Sequence, residues 1–99
     1  MKVVFTGEVF RDLEDIGEYI ALDNPRRSRT FVGELAAKAR DIGRTPYGFE
    51  AIGRYRDAGI RRRPHGAYLI FYRIKDGQVE IIRILHGSRD YEAVLFPDA

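Results

Sequence analysis

The 99-residue sequence contains no cysteine. Disulfides and thiolate-held metals are thereby excluded, and a reducing compartment is the natural setting. There are two histidines, His65 and His86, and neither has an acidic partner at helical ligand spacing, so no metal site is expected. No apolar run approaches the ~20 residues needed to span a bilayer. The opening MKVVFTGEVF has one lysine and a short apolar run before charges begin, without the apolar stretch of a secretory signal. A cytoplasmic protein with no membrane association is the expectation. Phosphate-loop and dinucleotide fingerprints are missing, as is the Gly-x-Ser-x-Gly elbow of hydrolases, and no cofactor is expected. Repeats and low-complexity segments are absent too.

What remains is a globular composition, 44% apolar and 32% charged. The length suits one domain over residues 1–99 with one modest core. The net charge of +2 is unevenly spread: residues 1–50 carry 8 basic and 9 acidic side chains, residues 51–99 carry 9 and 6. The segment RYRDAGIRRR, residues 54–63, sets Arg54, Arg56, Arg61, Arg62 and Arg63 against Asp57 alone. Such a cluster suits phosphates or an acidic partner, or a simple solvated surface.

KVVF reads as a short strand. Thr6 then offers a cap, and Val9, Leu13, Ile16 and Ile20 form one apolar stripe on a helix, with Glu8, Asp12, Glu14, Asp15 and Glu18 on its other faces. Asn24 and Pro25 are suited to start a second helix, with Phe31, Leu35, Ala39 and Ile42 in register and Gly43 as its stop. Ala36, Ala37 and Ala39 would let the two helices of this hairpin sit close. Residues 44–59 form a long connection that Tyr47, Phe49 and Ile52 pin to the core. A basic strand follows, broken at Pro64, with a turn at His65-Gly66.

Asp76-Gly77 between two apolar runs is a strong hairpin signal. A two-residue loop opposes Arg73 with Glu80, Phe71 with Ile82, Leu69 with Ile84 and Ala67 with His86 on one face. The other face carries Tyr68, Ile70, Tyr72 and Ile74 against Leu85, Arg83, Ile81 and Val79. Both faces are largely apolar, so the hairpin is central. The helix hairpin covers one face. The face with Tyr68, Tyr72 and Arg83 is expected to await a partner, unless the long loop and the C-terminal tail cover it. The expected fold is α+β: an N-terminal strand and an antiparallel helix hairpin on a three- to four-stranded antiparallel sheet, with a short C-terminal helix.

The stretch IIRILHGSRDY, residues 81–91, gathers His86, Ser88, Arg89 and Asp90. Side chains two apart on an extended chain run parallel, roughly 6–7 Å apart. They cannot converge as a hydrolytic triad, whose members come head-on from different elements. A structural reading has Gly87 ending the strand and Ser88 capping a short helix, with Asp90 and Glu92 in its first turns. The enzymatic alternative is a metal-independent ribonuclease, which needs a base, cations and an acid. Its candidates are His86, Arg89, Arg61 and Tyr91, with Arg62, Arg63 and Arg83 as further cations.

Three segments, in order, resemble a known family. DLEDIGEYIALDNPRRSRTFVGEL has the D-L-x-x-I-x-x-Y-I…N-P…F-x-x-x-L pattern of the helix hairpin in ParE-type toxins of the RelE/ParE superfamily. TPYGFEAIGRYRDAGIRRRPHGAYLIFYRI is similar to its P-x-G…R…G-x-Y-L-I-F-Y-R middle, and VEIIRILHGSRD to its closing I-x-R-I-L-H-G-x-R-D. The resemblance spans nearly the whole chain. It implies a type II toxin that stabilises a plasmid or chromosome by poisoning DNA gyrase, trapping it on cleaved DNA. It implies an inhibitor rather than an enzyme, neutralised by a ParD-like ribbon-helix-helix antitoxin; DNA is then met only through antitoxin or gyrase. The expected antitoxin contacts are Tyr68, Tyr72, Arg83, Arg56 and Arg61, and the expected toxicity residues His86, Arg89 and Asp90. The RelE branch instead cleaves mRNA on the ribosome. RRRPHG lacks that branch's lysine-bearing loop, and AVLFPDA, after Tyr91, contains no Tyr or His, which favours the gyrase-poison branch.

Overall fold

Two helices lie across one face of a four-stranded sheet, and a short third helix lies on the other. The computed structural model describes residues 1–52 and 58–97. In chain order the elements are β1 (Lys2–Phe5), α1 (Gly7–Ala21), α2 (Pro25–Asp41), a 3-10 turn (Ile42–Arg44), β2 (Arg61–His65), β3 (Tyr68–Lys75), β4 (Gln78–His86) and α3 (Tyr91–Leu95). The sheet order is β1-β4-β3-β2. This is the expected α+β arrangement with four strands. β2–β3 and β3–β4 are antiparallel, whereas β1 runs parallel to β4 and makes the sheet mixed. The long route through the helices permits that parallel entry.

The stripe on α1 faces the sheet as predicted: Val9 and Ile16 are buried, and Leu13 and Ile20 pack on the same cluster. Asp12, expected on another face, is buried too. Thr6 does not cap α1 with its side chain; its hydroxyl donates to the Ile82 carbonyl at 3.1 Å. Asn24 does cap α2, its Oδ1 accepting from Arg27 N at 3.0 Å. The helices touch at Gly17, where Ser28 Oγ donates to the Gly17 carbonyl at 2.6 Å and an added Cβ would lie 3.3 Å from Val32. Of the three alanines expected at that contact, Ala39 is the buried one. Gly43 does not stop α2 in a left-handed conformation. It sits inside the 3-10 turn, where β1 passes so close that a Cβ would meet the Met1 carbonyl oxygen at 2.4 Å.

Asp76 and Gly77 both have positive φ, 52° and 72°, as the predicted two-residue turn requires. The predicted register holds near that turn: Lys75 opposes Gln78, Ile74 Val79, Arg73 Glu80 and Tyr72 Ile81. Arg73 Nε reaches Glu80 Oε1 at 2.7 Å. Beyond it a bulge shifts the pairing by one, so Phe71 opposes Arg83, Ile70 Ile84, Leu69 Leu85 and Tyr68 His86. The predicted pairs Phe71–Ile82, Leu69–Ile84 and Ala67–His86 are therefore not formed. The cause lies outside the hairpin. β1 ends at Phe5 opposite Ile81. Past that point the Thr6 hydroxyl takes the Ile82 carbonyl, and Asp12 Oδ2 accepts from Ile84 N at 2.9 Å. A side chain of α1 replaces the missing strand.

The bulge leaves two apolar layers. The helix-side cluster contains Val9, Leu35, Ile42, Tyr68, Ile70, Tyr72, Val79, Ile81 and Ile84 among others. On the outer face Ile52, Ile60, Phe71 and Leu85 are buried, with Leu69, Ile82, Tyr91, Val94, Leu95 and Phe96 packed against them. The face carrying Tyr68 and Tyr72, expected to stand open, is thus the one under the helix hairpin. The opposite face is the one that α3 covers. In the 44–59 connection, Ile52 and Phe49 pack inward, but Tyr47 is 66% exposed. The Arg61 guanidinium lies 5.5 Å from the Tyr47 ring centre. β2 continues through Pro64 to His65, because a sheet edge tolerates a missing amide hydrogen. Arg54, Arg56 and Asp57 lie outside the described residues. No helix among the described residues is long and apolar enough to cross a membrane.

Candidate functional site

The basic strand β2 alternates. Arg61, Arg63 and His65 pair with Tyr72, Ile70 and Tyr68, which share the helix side. Each is engaged there. Arg61 donates to the Phe49 carbonyl at 2.6 Å, Arg63 to Asp41 at 3.1 Å, and His65 Nε2 lies 3.2 Å from Glu34 Oε1. Arg27 and His65 together hold the Glu34 carboxyl below its ordinary pKa. Arg62 opposes Phe71 and points to the outer face. The expected anion-binding cluster is therefore split between two sides of the sheet.

At the far end of the sheet, His86 sits opposite Tyr68, the two ring centres 5.2 Å apart and the planes nearly perpendicular. Its Nδ1 accepts from Ser88 N at 3.1 Å and lies 2.7 Å from Ser88 Oγ. An amide hydrogen aimed at Nδ1 means that the neutral ring carries its proton on Nε2. Ser88, expected to cap the C-terminal helix, is used here instead. Asp90 is the cap, its Oδ1 accepting from Ala93 N at 3.3 Å. Arg89 lines a hollow of about 150 Å³ with Asp12, Asp15, Tyr19, Tyr68 and His86.

Tyr91 is on the other side of the sheet. Its ring packs at a tilt on Phe71, the centres 5.0 Å apart, and its hydroxyl accepts from Arg62 Nη1 at 2.8 Å. Arg62 Nη2 donates to Glu50 Oε1 at 2.8 Å. That bond, chiefly, raises the Arg62 pKa, with the phenol adding to it. Glu50, Arg62, Phe49, Pro64, Leu69 and Gly87 border an open hollow of about 640 Å³. Among the four ribonuclease candidates, His86 and Arg89 come together, while Tyr91 faces the opposite side. Arg61 pairs with Tyr72, four residues along β3 from the Tyr68–His86 row, or about 13 Å. Glu50 was missed as a site residue. It is an ordinary exposed loop glutamate, and nothing in its surrounding sequence signals the contact to Arg62.

The expected antitoxin contacts are distributed as follows. Tyr72 is fully buried, its hydroxyl donating to the Pro46 carbonyl at 2.6 Å, and burial pushes its phenol pKa up. Arg83 is committed within the fold: Nε and Nη2 each donate to Asp12 at 2.8 Å, and Glu8 stands 3.4 Å away. The Asp12 hydrogen bonds lead in raising its pKa. Tyr68 is 8% exposed and Arg61 half-buried. Arg56 lies outside the described residues. Among the described residues, no three His, Asp or Glu side chains gather at metal-binding spacing.

This architecture has known counterparts. A chain of the chromosomal ParDE toxin–antitoxin system from P. aeruginosa shares the fold with a TM-score of 0.77 at 17% identity, covering 87% of this chain and 95% of that one. A chain of the toxin–antitoxin complex RelBE2 from Mycobacterium tuberculosis gives a TM-score of 0.63 at 28% identity, covering 86% and 95%. Comparison with curated protein sequences gives no match. The family model for the ParE toxin of the type II toxin–antitoxin system parDE matches residues 3–91, almost the whole chain. The sequence resemblance and the four-stranded fold therefore meet in one conclusion: the chain belongs to the ParE toxin family of type II toxin–antitoxin systems.

Proposed function

We propose that this toxin poisons DNA gyrase by binding it and holding it on cleaved DNA, and that a ParD-like ribbon-helix-helix antitoxin neutralises it. The observation that carries the reading is the state of His86. Its Nδ1 is taken by Ser88, leaving a fixed N–H donor rather than a free base at Nε2 in the neutral ring. The other proton-transfer candidate, Tyr91, faces the opposite side of the sheet. A surface that binds suits this arrangement better than one that shuttles protons. His86 and Arg89 at the end of β4 form the target-contacting patch, and Asp90 holds α3 in place behind them. In the antitoxin contact, Arg61 acts from the half-buried sheet edge and Tyr68 through the hollow it lines beside His86. Tyr72 and Arg83 act through the fold.

The test is purified toxin with gyrase, supercoiled plasmid and ATP, scored for covalent cleavage complexes. Accumulation at stoichiometric toxin, reduced by His86→Ala or Arg89→Ala, is expected. Its absence would overturn the reading.

A second reading has its own observation. The Tyr91 hydroxyl, Arg62 guanidinium and Glu50 carboxylate form one hydrogen-bonded row beside an open hollow. A phenol beside a guanidinium is the kind of pair that ribosome-dependent mRNA cleavage uses, and the RelBE2 complex is a structural neighbour. Cut mRNA on programmed ribosomes, lost in Tyr91→Phe and Arg62→Ala, would favour it over gyrase.

A further inference from the structure

Tyr19 from α1, Tyr68 from β3 and His86 from β4 line two adjoining hollows of about 150 and 310 Å³. Tyr68 is held rigidly. Its ring lies between Phe31, 5.6 Å away, and the edge-on His86, 5.2 Å away. Tyr68 is 8% exposed as a residue, and its hydroxyl, which makes no hydrogen bond to another described residue, is not sealed in the core but stays accessible. Burial and the neighbouring Tyr19 keep the proton on this oxygen, so it stays a neutral donor and acceptor.

Asp15 lines the smaller hollow and makes no hydrogen bond or ion pair among the described residues. Glu8, Asp12 and Asp15 together raise the pKa of Arg83. Among the side chains that line the hollow, Asp12 and Asp15 stand with Arg89, and since Asp12 is held by Arg83, Asp15 is the carboxylate left uncommitted there. Arg89, on the rim, is likewise without an ion pair among the described residues. The smaller hollow holds roughly five waters' worth of space, taking about 30 Å³ each, which suits a side-chain head rather than a nucleobase.

We propose that this pocket receives the cationic head of a lysine or arginine side chain from a protein partner. Tyr19, Tyr68 and His86 supply the aromatic walls, Asp15 the counter-charge, and the Tyr68 hydroxyl an acceptor at the floor. Ring faces attract cations, and the exposed ring of Tyr19 stands beside Asp15 at this hollow. The proposal rests on the end of β4 being a contact surface, and not on gyrase being what is contacted.

The purified full-length toxin is titrated with N-acetyl-arginine amide, N-acetyl-lysine amide and N-acetyl-aspartate amide. The ring NMR signals of Tyr19, Tyr68 and His86 are followed. Saturable shifts with the cationic probes are expected, weakened at least about tenfold in Asp15→Asn and Tyr19→Ala. Tyr47→Ala, an exposed ring elsewhere, leaves them unchanged. Asp15 and Tyr19 are both exposed, so their variants keep the core, and dispersed amide spectra check that. Absence of shifts with the cationic probes, or equal affinity in Asp15→Asn, overturns the proposal. Saturation by the aspartate probe alone also overturns it and assigns the pocket to an anion held by Arg89. Gyrase takes no part in this titration, so a failed cleavage-complex assay and a failed titration are separate results.

Discussion

Asp12 and Arg83, 71 positions apart in the sequence, are joined by two hydrogen bonds of 2.8 Å each. The same carboxylate accepts from Ile84 N, so it both neutralises the arginine and completes the edge of β4 where β1 stops. Arg83→Ala would leave a carboxylate that is 6% exposed without its counter-charge. The expected loss is about 3–5 kcal/mol of unfolding free energy. Asp12→Ala should cost less, about 2 kcal/mol, since Arg83 can turn to Glu8 and the main loss is the Ile84 N partner. Urea unfolding of both variants and of the double variant checks this. A double variant no worse than Arg83→Ala alone is the signature of one shared interaction.

Tyr72 makes stability fall at high pH. The folded phenol, raised mainly by burial, binds its proton more tightly than the unfolded one at its ordinary value of 10.0. Its contribution is complete below about pH 10 and is lost as pH rises through the folded value. Tyr72→Phe should be about 1 kcal/mol less stable at pH 7, having lost the bond to Pro46. Above pH 10 that gap should close. Denaturant midpoints at pH 7 and pH 10.5 measure it, and a gap that stays constant would assign the alkaline loss to another group.

Gly43 sets how β1 meets the end of α2. A Cβ there would lie 2.4 Å from the Met1 carbonyl oxygen and 2.8 Å from Val3. Gly43→Ala must push the N-terminal strand outward, at a cost of about 1–3 kcal/mol. Hydrogen exchange should accelerate at the Val3–Phe5 amides while the β3–β4 amides keep their protection. Uniform acceleration would mean that β1 opens only with the whole fold.

How much of this was legible in the sequence depended on distance along the chain. The α1 stripe, the Asn24 cap and the Asp76-Gly77 turn are decided by neighbours within a few residues, and each stands as read. The bulge after Tyr72 is decided by Thr6 and Asp12, so a register extrapolated from the turn goes wrong after four pairs. That slip exchanges the faces of Ile84 and Leu85. Arg83 read as a free cation for another reason: the face it shares with Tyr72 was expected to stand open, and it is the one under α1, whose Asp12 takes it. The same distance hid Glu50, whose contact to Arg62 arises only when the loop folds beside β2. His86 and Ser88 were expected to run parallel and apart along an extended chain; the turn at Gly87-Ser88 instead brings Ser88 Oγ to 2.7 Å from His86 Nδ1.

Tyr91 separates structure from chemistry in one residue. Its ring packs on Phe71, at 5.0 Å, while its hydroxyl meets Arg62. Tyr91→Ala removes both and uncovers the outer layer of Phe71 and Leu85. It should cost about 3 kcal/mol, in the range for losing a packed aromatic ring, and raise binding of a hydrophobic dye. Tyr91→Phe keeps the ring and should cost about 1 kcal/mol or less. If the protein poisons gyrase from the end of β4, Tyr91→Phe retains full growth arrest when expressed without antitoxin, because the hydroxyl faces the other side of the sheet. If it cleaves mRNA through the Tyr91–Arg62 pair, the same variant grows normally although its fold is intact. Growth curves beside unfolding midpoints for the two variants therefore divide a binding toxin from a catalytic one.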